Sequence, residues 1–131
     1  MNTHRFPFTV AYADTDAGGI AYHARYIEMA ERARMNWSRG MKIPDGDLGF
    51  IVRELDIKYN TPLKVADEII IETKATEIGM ASVKIEQKFL HDGVVCAVMH
   101  IKIAYLGSDL RPKQIPDSII HIMKKKKKKK E

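Results

Sequence analysis

The chain has 131 residues, 45% of them hydrophobic and 30% charged, the balance of one soluble domain able to bury a single core. No apolar run approaches the roughly 20 residues needed to cross a bilayer. The opening MNTHRFPFTV has no basic stretch leading into an apolar one, so it does not read as a secretory signal. Cys96 is the only cysteine, which excludes an internal disulfide framework.

The formal net charge of +5 arises at the end of the chain: without Lys124–Lys130 and Glu131, 15 basic residues stand against 16 acidic ones. Seven adjacent lysines repel each other and bury nothing, so residues 124–131 read as a disordered poly-lysine tail on a single domain, residues 1–123. A cytoplasmic location is the expectation. Neither nucleic acid nor an integral membrane segment is expected to be involved.

Arg5–Ala13 alternates like a strand, with Phe6, Phe8, Val10 and Tyr12 on one face and Pro7 suited to a sheet edge. Residues 14–24, DTDAGGIAYHA, are loop chemistry. From about Tyr22 to Arg39 the pattern turns helical, with Ile27, Ala30, Ala33, Arg34 and Trp37 on one face. Glu28–Arg32 is spaced as an i, i+4 ion pair, and Gly40 is a C-terminal stop. After a connection over residues 41–49, Ile51–Tyr59 alternates, and Asn60-Thr61-Pro62-Leu63 breaks the run.

Glu68–Glu77 is the next strand. Val83, Ile85, Gln87 and Phe89 alternate in the one after it, and His91-Asp92-Gly93 signals a hairpin. Val94–Tyr105 is apolar on both faces apart from His100 and Lys102, as a strand covered by the helix on one side and another subunit on the other would be. Pro112 and Pro116 mark a loop before a short helix at Asp117–Met123. This order predicts an α+β fold with one long helix packed on a curved antiparallel sheet.

The stretch YADTDAGGIAYHARY, residues 12–26, places two carboxylates, two glycines, Tyr22 and His23 just before a helix. A helix start leaves backbone N–H groups unpaired and partly positive, able to stabilise an oxyanion. A carboxylate there can activate water or attack a carbonyl. On residue types alone, capping of the helix by Asp14 or Asp16 explains the same pattern. Calcium does not, because position 12 of such a loop, counted from Asp14, is Arg25 and not a bidentate Glu. The other histidines and Cys96 form no metal-ligand spacing, and DAGGIA has neither a Walker lysine nor a dinucleotide fingerprint.

Asp14-Thr15-Asp16-Ala17-Gly18-Gly19, Tyr22-His23-Ala24, Tyr26 and Glu31-Arg32-Ala33-Arg34, at these offsets, resemble the signature of the 4-hydroxybenzoyl-CoA thioesterase group. The nearest branch is the YbgC-like acyl-CoA thioesterases associated with the Tol–Pal system. The resemblance spans about residues 5–115. It implies the hotdog fold, about five antiparallel strands wrapped on one central helix, and hydrolysis of short to medium aliphatic or aromatic acyl-CoA thioesters.

It further implies Asp16 as nucleophile or general base, the His23 amide as carbonyl-polarising donor and the His23 imidazole as an aid to orientation. Tyr22, Gly18, Gly19 and Tyr26 become substrate-binding residues. No metal and no cofactor are implied, CoA being part of the substrate. A homodimer or homotetramer is expected, with acyl carrier protein an open option as partner. The alternative reading is a non-catalytic module binding acyl thioesters or acyl carrier protein. CoA's phosphates call for basic residues, for which Lys84–Lys88, Arg111 and Lys113 are candidates.

Overall fold

The structure is a computed structural model describing residues 2–124. Its elements are β1 (Thr3–Thr9), a 3-10 turn (Tyr12–Asp14), α1 (Arg25–Trp37), β2 (Gly49–Tyr59), β3 (Glu68–Ile78), β4 (Ser82–His91), β5 (Val94–Leu106) and α2 (Asp117–Lys124). The five strands form one antiparallel sheet in the order β1-β3-β4-β5-β2. Pro7 thus sits in an edge strand, where its missing N–H breaks no ladder. Lys124 closes α2, one residue inside the stretch assigned to the tail; the rest of that expected tail lies outside the described residues.

Alternation decides which face of the sheet is buried. Ile69, Ile71, Thr73 and Ala75 of β3, Val83, Ile85, Gln87 and Phe89 of β4, and Ala97, Met99, Ile101, Ile103 and Tyr105 of β5 all point inward and are buried. Each large apolar side chain so buried contributes roughly 1.5–3 kcal/mol. The outward positions of β5 are less apolar than its sequence suggests. His100 lies 3.6 Å from Asp56 and 3.4 Å from Glu86, so the middle of that face is polar. The β4–β5 hairpin turns at Asp92 (φ 51°) and Gly93 (φ 78°), the two left-handed residues that a tight hairpin requires.

α1 lies across the concave face through Tyr26, Met29, Ala30 and Ala33. The two alanines are fully buried and let the helix backbone come close to the sheet. Gln87 fixes that approach. Its side-chain amide donates to the Ala30 carbonyl (3.0 Å) and to Thr73 Oγ1 (2.9 Å), and it accepts from Arg34 Nη1 (2.9 Å).

Three details of the helix differ from the sequence expectation. It begins at Arg25, because Tyr22–Ala24 form a turn in which the Arg25 amide donates to the Tyr22 carbonyl. Its buried stripe is set one residue earlier than Ile27, which is exposed, and Glu28 pairs with Arg25 instead of Arg32. Gly40, with φ 88°, does end the helical segment. Tyr12 also departs from the β1 face, being exposed in the 3-10 turn.

The connection before β2 is pinned by Asp47, whose carboxylate accepts from Tyr105 Oη (2.6 Å) and Lys113 Nζ (2.7 Å). β2 is the second sheet edge and carries a bulge at Arg53, between Val52 and Glu54. Pairing with the inward residues of β5 puts Phe50 and Val52 on the inner face before the bulge, and Leu55, Ile57 and Tyr59 on it afterwards. A five-stranded antiparallel sheet wrapped on one helix is the hotdog fold.

Candidate active site

The two aspartates of the loop before α1 have separate surroundings. Asp14 is buried and accepts the Ala11 amide (2.9 Å) and Arg25 Nη2 (3.1 Å), while its carbonyl accepts the Tyr22 amide (2.8 Å). It ties β1's exit to the first residue of the helix. Asp16 is exposed, and its Oδ1 accepts only the Gly18 amide, at 2.8 Å. The Asp16 backbone closes the loop on both sides, donating to the Ile20 carbonyl and accepting the Gly19 amide. Gly19 has φ 80°, a conformation costly for any residue with a Cβ. At Gly18 a Cβ would come within 3.3 Å of Asp16 Oδ1.

Asp16 borders a hollow of about 350 Å3 together with Ile20, Ala21, His23 and Tyr26. The opposite wall is the end of β2 and the residues after it, Tyr59 to Pro62. Tyr59 Oη donates to the His23 carbonyl (2.7 Å), holding the turn that precedes α1. The Tyr26 ring packs edge-on to Tyr59 and Phe89, and burial raises the pKa of both the Tyr26 and Tyr59 phenols. Both phenols therefore keep their protons near neutrality. Among the described residues no acceptor takes the amide hydrogens of His23 or Ala24. Neither Asp14 nor Asp16 caps α1, whose N-cap Ala24 carries no side-chain bond. The hollow is thus bordered by a carboxylate residue, Asp16, and by His23, whose backbone amide has no partner among the described residues.

Of the residues singled out in the sequence, Asp16, His23 and Tyr26 line this hollow. Tyr22 lies outside it, exposed, with its ring centroid 4.5 Å from that of His23. Gly18 and Gly19 shape the loop and do not line the hollow. Tyr59, Asn60, Thr61 and Pro62 line it as well and are not among the candidate site residues of the sequence, where a break follows the Ile51–Tyr59 alternation.

The lysines considered for CoA lie elsewhere. Lys84 borders a different hollow, on the outer face of the sheet, Lys88 is near Glu86, and Lys113 is held by Asp47; neither they nor Arg111 line the Asp16 hollow. Cys96 is buried, and burial raises its thiol pKa, which leaves it unsuited to act as a nucleophile.

A family model described as the thioesterase-like superfamily matches residues 10–123. The chain is 31% identical over 125 residues to the acyl-CoA thioesterase YbgC of Haemophilus influenzae, covering 90% of this chain and 92% of that protein. It is 30% identical over 129 residues to the acyl-CoA thioester hydrolase YbgC of Escherichia coli, covering 92% and 96%. Among solved structures, a probable thioesterase from Bartonella henselae superposes with a TM-score of 0.79 at 30% identity, over 88% of this chain and all of that one.

Proposed function

This chain belongs to the thioesterase-like superfamily, and we propose that it hydrolyses acyl-CoA thioesters to the free acid and CoA, with Asp16 as the catalytic carboxylate. The observation carrying this is that Asp16 borders the same hollow as His23, in the turn entering α1, where the amides of His23 and the adjacent Ala24 have no partner among the described residues. The thioester oxygen would sit on those amides, which stabilise the charge it acquires as the carbonyl carbon is attacked. Water adds to that carbon while Asp16 takes its proton. The C–S bond then breaks, and the proton passes to the departing thiolate to give CoA thiol and carboxylic acid. If Asp16 itself attacks, the same water is consumed in hydrolysing the resulting anhydride, and the products are unchanged.

His23 orients the water or the thioester through its ring, with the Tyr22 ring packed against it at a tilt of 49°. Tyr26 and Tyr59 form the apolar wall against the acyl or pantetheine carbons. Gly18 acts on Asp16 through its amide. No metal or other cofactor enters these steps.

The smallest active unit we propose is a homodimer joined along β2, assembled further into a homotetramer. The support is an open edge strand with Ile51, Val52 and Tyr59 exposed along it. Release of free thiol from a panel of short, medium and aromatic acyl-CoAs tests the activity. Steady turnover of at least one is expected, and no turnover of any would overturn the reading. Sedimentation of the active species tests the assembly, and a fully active monomer would contradict it.

A further inference from the structure

A turn beside the Asp16 loop is shaped by a carboxylate, Asp67, that does not border the hollow. Residues 64–67 form a β-turn closed twice over. The Asp67 amide donates to the Lys64 carbonyl (3.1 Å), and the Lys64 amide donates to Asp67 Oδ2 (2.8 Å). Asp67 Oδ1 faces His91 Nε2, at the end of β4, at 3.6 Å. Ala66, the third residue of the turn, has φ 74°, left-handed backbone for which glycine is the usual choice. An alanine there is strained and persists only where its surroundings impose it. The side-chain bond from Asp67 is one such constraint, added to a turn that Ala66 by itself disfavours.

The turn is tied to both ends of the loop that carries Asp16. At the entry, the Val10 amide donates to the Asp67 carbonyl (2.9 Å) and the Ala66 amide to the Val10 carbonyl (2.7 Å). At the exit, the Ala21 amide donates to the Leu63 carbonyl (2.7 Å) and the Val65 amide to the Gly19 carbonyl (3.2 Å), with Ile20 and Lys64 bridged antiparallel between them. Asp16 hangs one bond beyond this ribbon, donating its amide to the Ile20 carbonyl (2.9 Å) and accepting the Gly19 amide on its own carbonyl (3.0 Å). The Leu63 amide also donates to Tyr26 Oη (3.4 Å), so the same segment steadies a wall of the hollow. A change in the shape of the turn is therefore passed to the Asp16 backbone by a short chain of hydrogen bonds.

We propose that Asp67 is a positioning residue for the hydrolysis: its hold on the Lys64–Asp67 turn sets where the Asp16 carboxylate stands relative to the His23 amide. Asp67 meets neither the thioester nor the water, and acts through residues 63–65 and 19–20. This rests on the hydrolase reading given above. A carboxylate serving stability alone would instead lower the unfolding midpoint and leave kcat of the folded protein unchanged.

Two substitutions separate these roles. Asp67→Ala opens the turn, whereas Asp67→Asn keeps an oxygen for the Lys64 amide. On the best acyl-CoA, Asp67→Ala should lose at least about tenfold in kcat with KM within about twofold of wild type, because a displaced catalytic group costs the transition state more than it costs binding. Asp67→Asn should recover most of that kcat. Wild-type kcat in Asp67→Ala, or a loss that Asp67→Asn shares in full, overturns the assignment. Should Asp67→Ala not fold, the comparison moves to an Ala66→Gly background, where the strain at residue 66 is relieved. There the double variant should turn over more slowly than Ala66→Gly at matched KM, and equal kcat refutes the proposal.

A second measurement is independent of activity. The Gly18 amide is bonded to Asp16 Oδ1 and the Gly19 amide to the Asp16 carbonyl, so their nuclear magnetic resonance signals report where the loop stands. Both signals should shift in Asp67→Ala and return in Asp67→Asn. Unmoved signals in folded Asp67→Ala, with the wild type active, sink this assignment and leave the hydrolase reading standing. A wild type that hydrolyses no acyl-CoA sinks the hydrolase reading itself.

Discussion

Replacing Asp14 by alanine should damage folding and not chemistry. The buried carboxylate accepts the Ala11 amide at 2.9 Å and the Arg25 guanidinium at 3.1 Å. Hydrogen bonds to a charged group contribute about 1.5–3 kcal/mol, and a buried amide left without an acceptor costs about 1–3 kcal/mol. Arg25 is about one-third exposed and keeps Glu28, so its own loss is small. The net destabilisation is about 2–3 kcal/mol, which for a domain of this length lowers Tm by roughly 8–12 °C. Asp14→Asn retains an acceptor for Ala11 while giving up the ion pair, and should lose about half as much. Thermal and urea unfolding at matched protein concentration measure both, since dimerisation would otherwise shift the midpoints. If Asp14→Ala unfolds within about 0.5 kcal/mol of wild type, or loses turnover while its stability is unchanged, the structural role assigned to this carboxylate is wrong.

Tyr59→Phe removes the bond to the His23 carbonyl; a stability loss of about 1 kcal/mol is expected by urea unfolding, with a several-fold lower kcat as the turn before α1 loosens. Gln87→Ala strands Arg34, Thr73 and the Ala30 carbonyl around a new cavity, for about 3–4 kcal/mol, whereas Gln87→Leu refills the volume and should recover part of that. Tyr105 is buried and hydrogen-bonded to Asp47, which together push its phenol pKa up to about 12. Because the folded value lies above the unfolded one of about 10, this contribution to stability is fully present below pH 10 and drains away as the pH rises toward 12. Unfolding free energies measured from pH 9 to 12 should therefore fall more steeply for wild type than for Tyr105→Phe.

The strands were legible because residues such as Val83, Ile85, Gln87 and Phe89 hold a strict period of two with charged residues between them. Even Gln87 fits that pattern, although nothing in the sequence announces that it reaches the helix backbone. The helix was legible as an element but not in its phase. Ile27 and Tyr26 are both credible core residues, and only the close approach of Ala30 and Ala33 to the sheet selects Tyr26 and Met29 as their neighbours. Asp14 and Asp16 could not be told apart by type or spacing, since each sits two residues from the other in one loop. Burial against Arg25 separates them. Tyr59 was hidden for a different reason: its contact with His23 spans 36 positions. Alternation does set Leu55, Ile57 and Tyr59 on one face, but it also sets Ile51 and Arg53 there, and the bulge at Arg53 puts Phe50 and Val52 inward instead.

The central claim is that Asp16 does the chemistry. Asp16→Asn keeps an oxygen for the Gly18 amide and alters an exposed side chain, so its unfolding midpoint should match wild type within about 0.5 kcal/mol. Thiol release from the best acyl-CoA substrate should fall by about 10²–10⁴-fold. A folded Asp16→Asn protein that turns over at the wild-type rate would contradict the account.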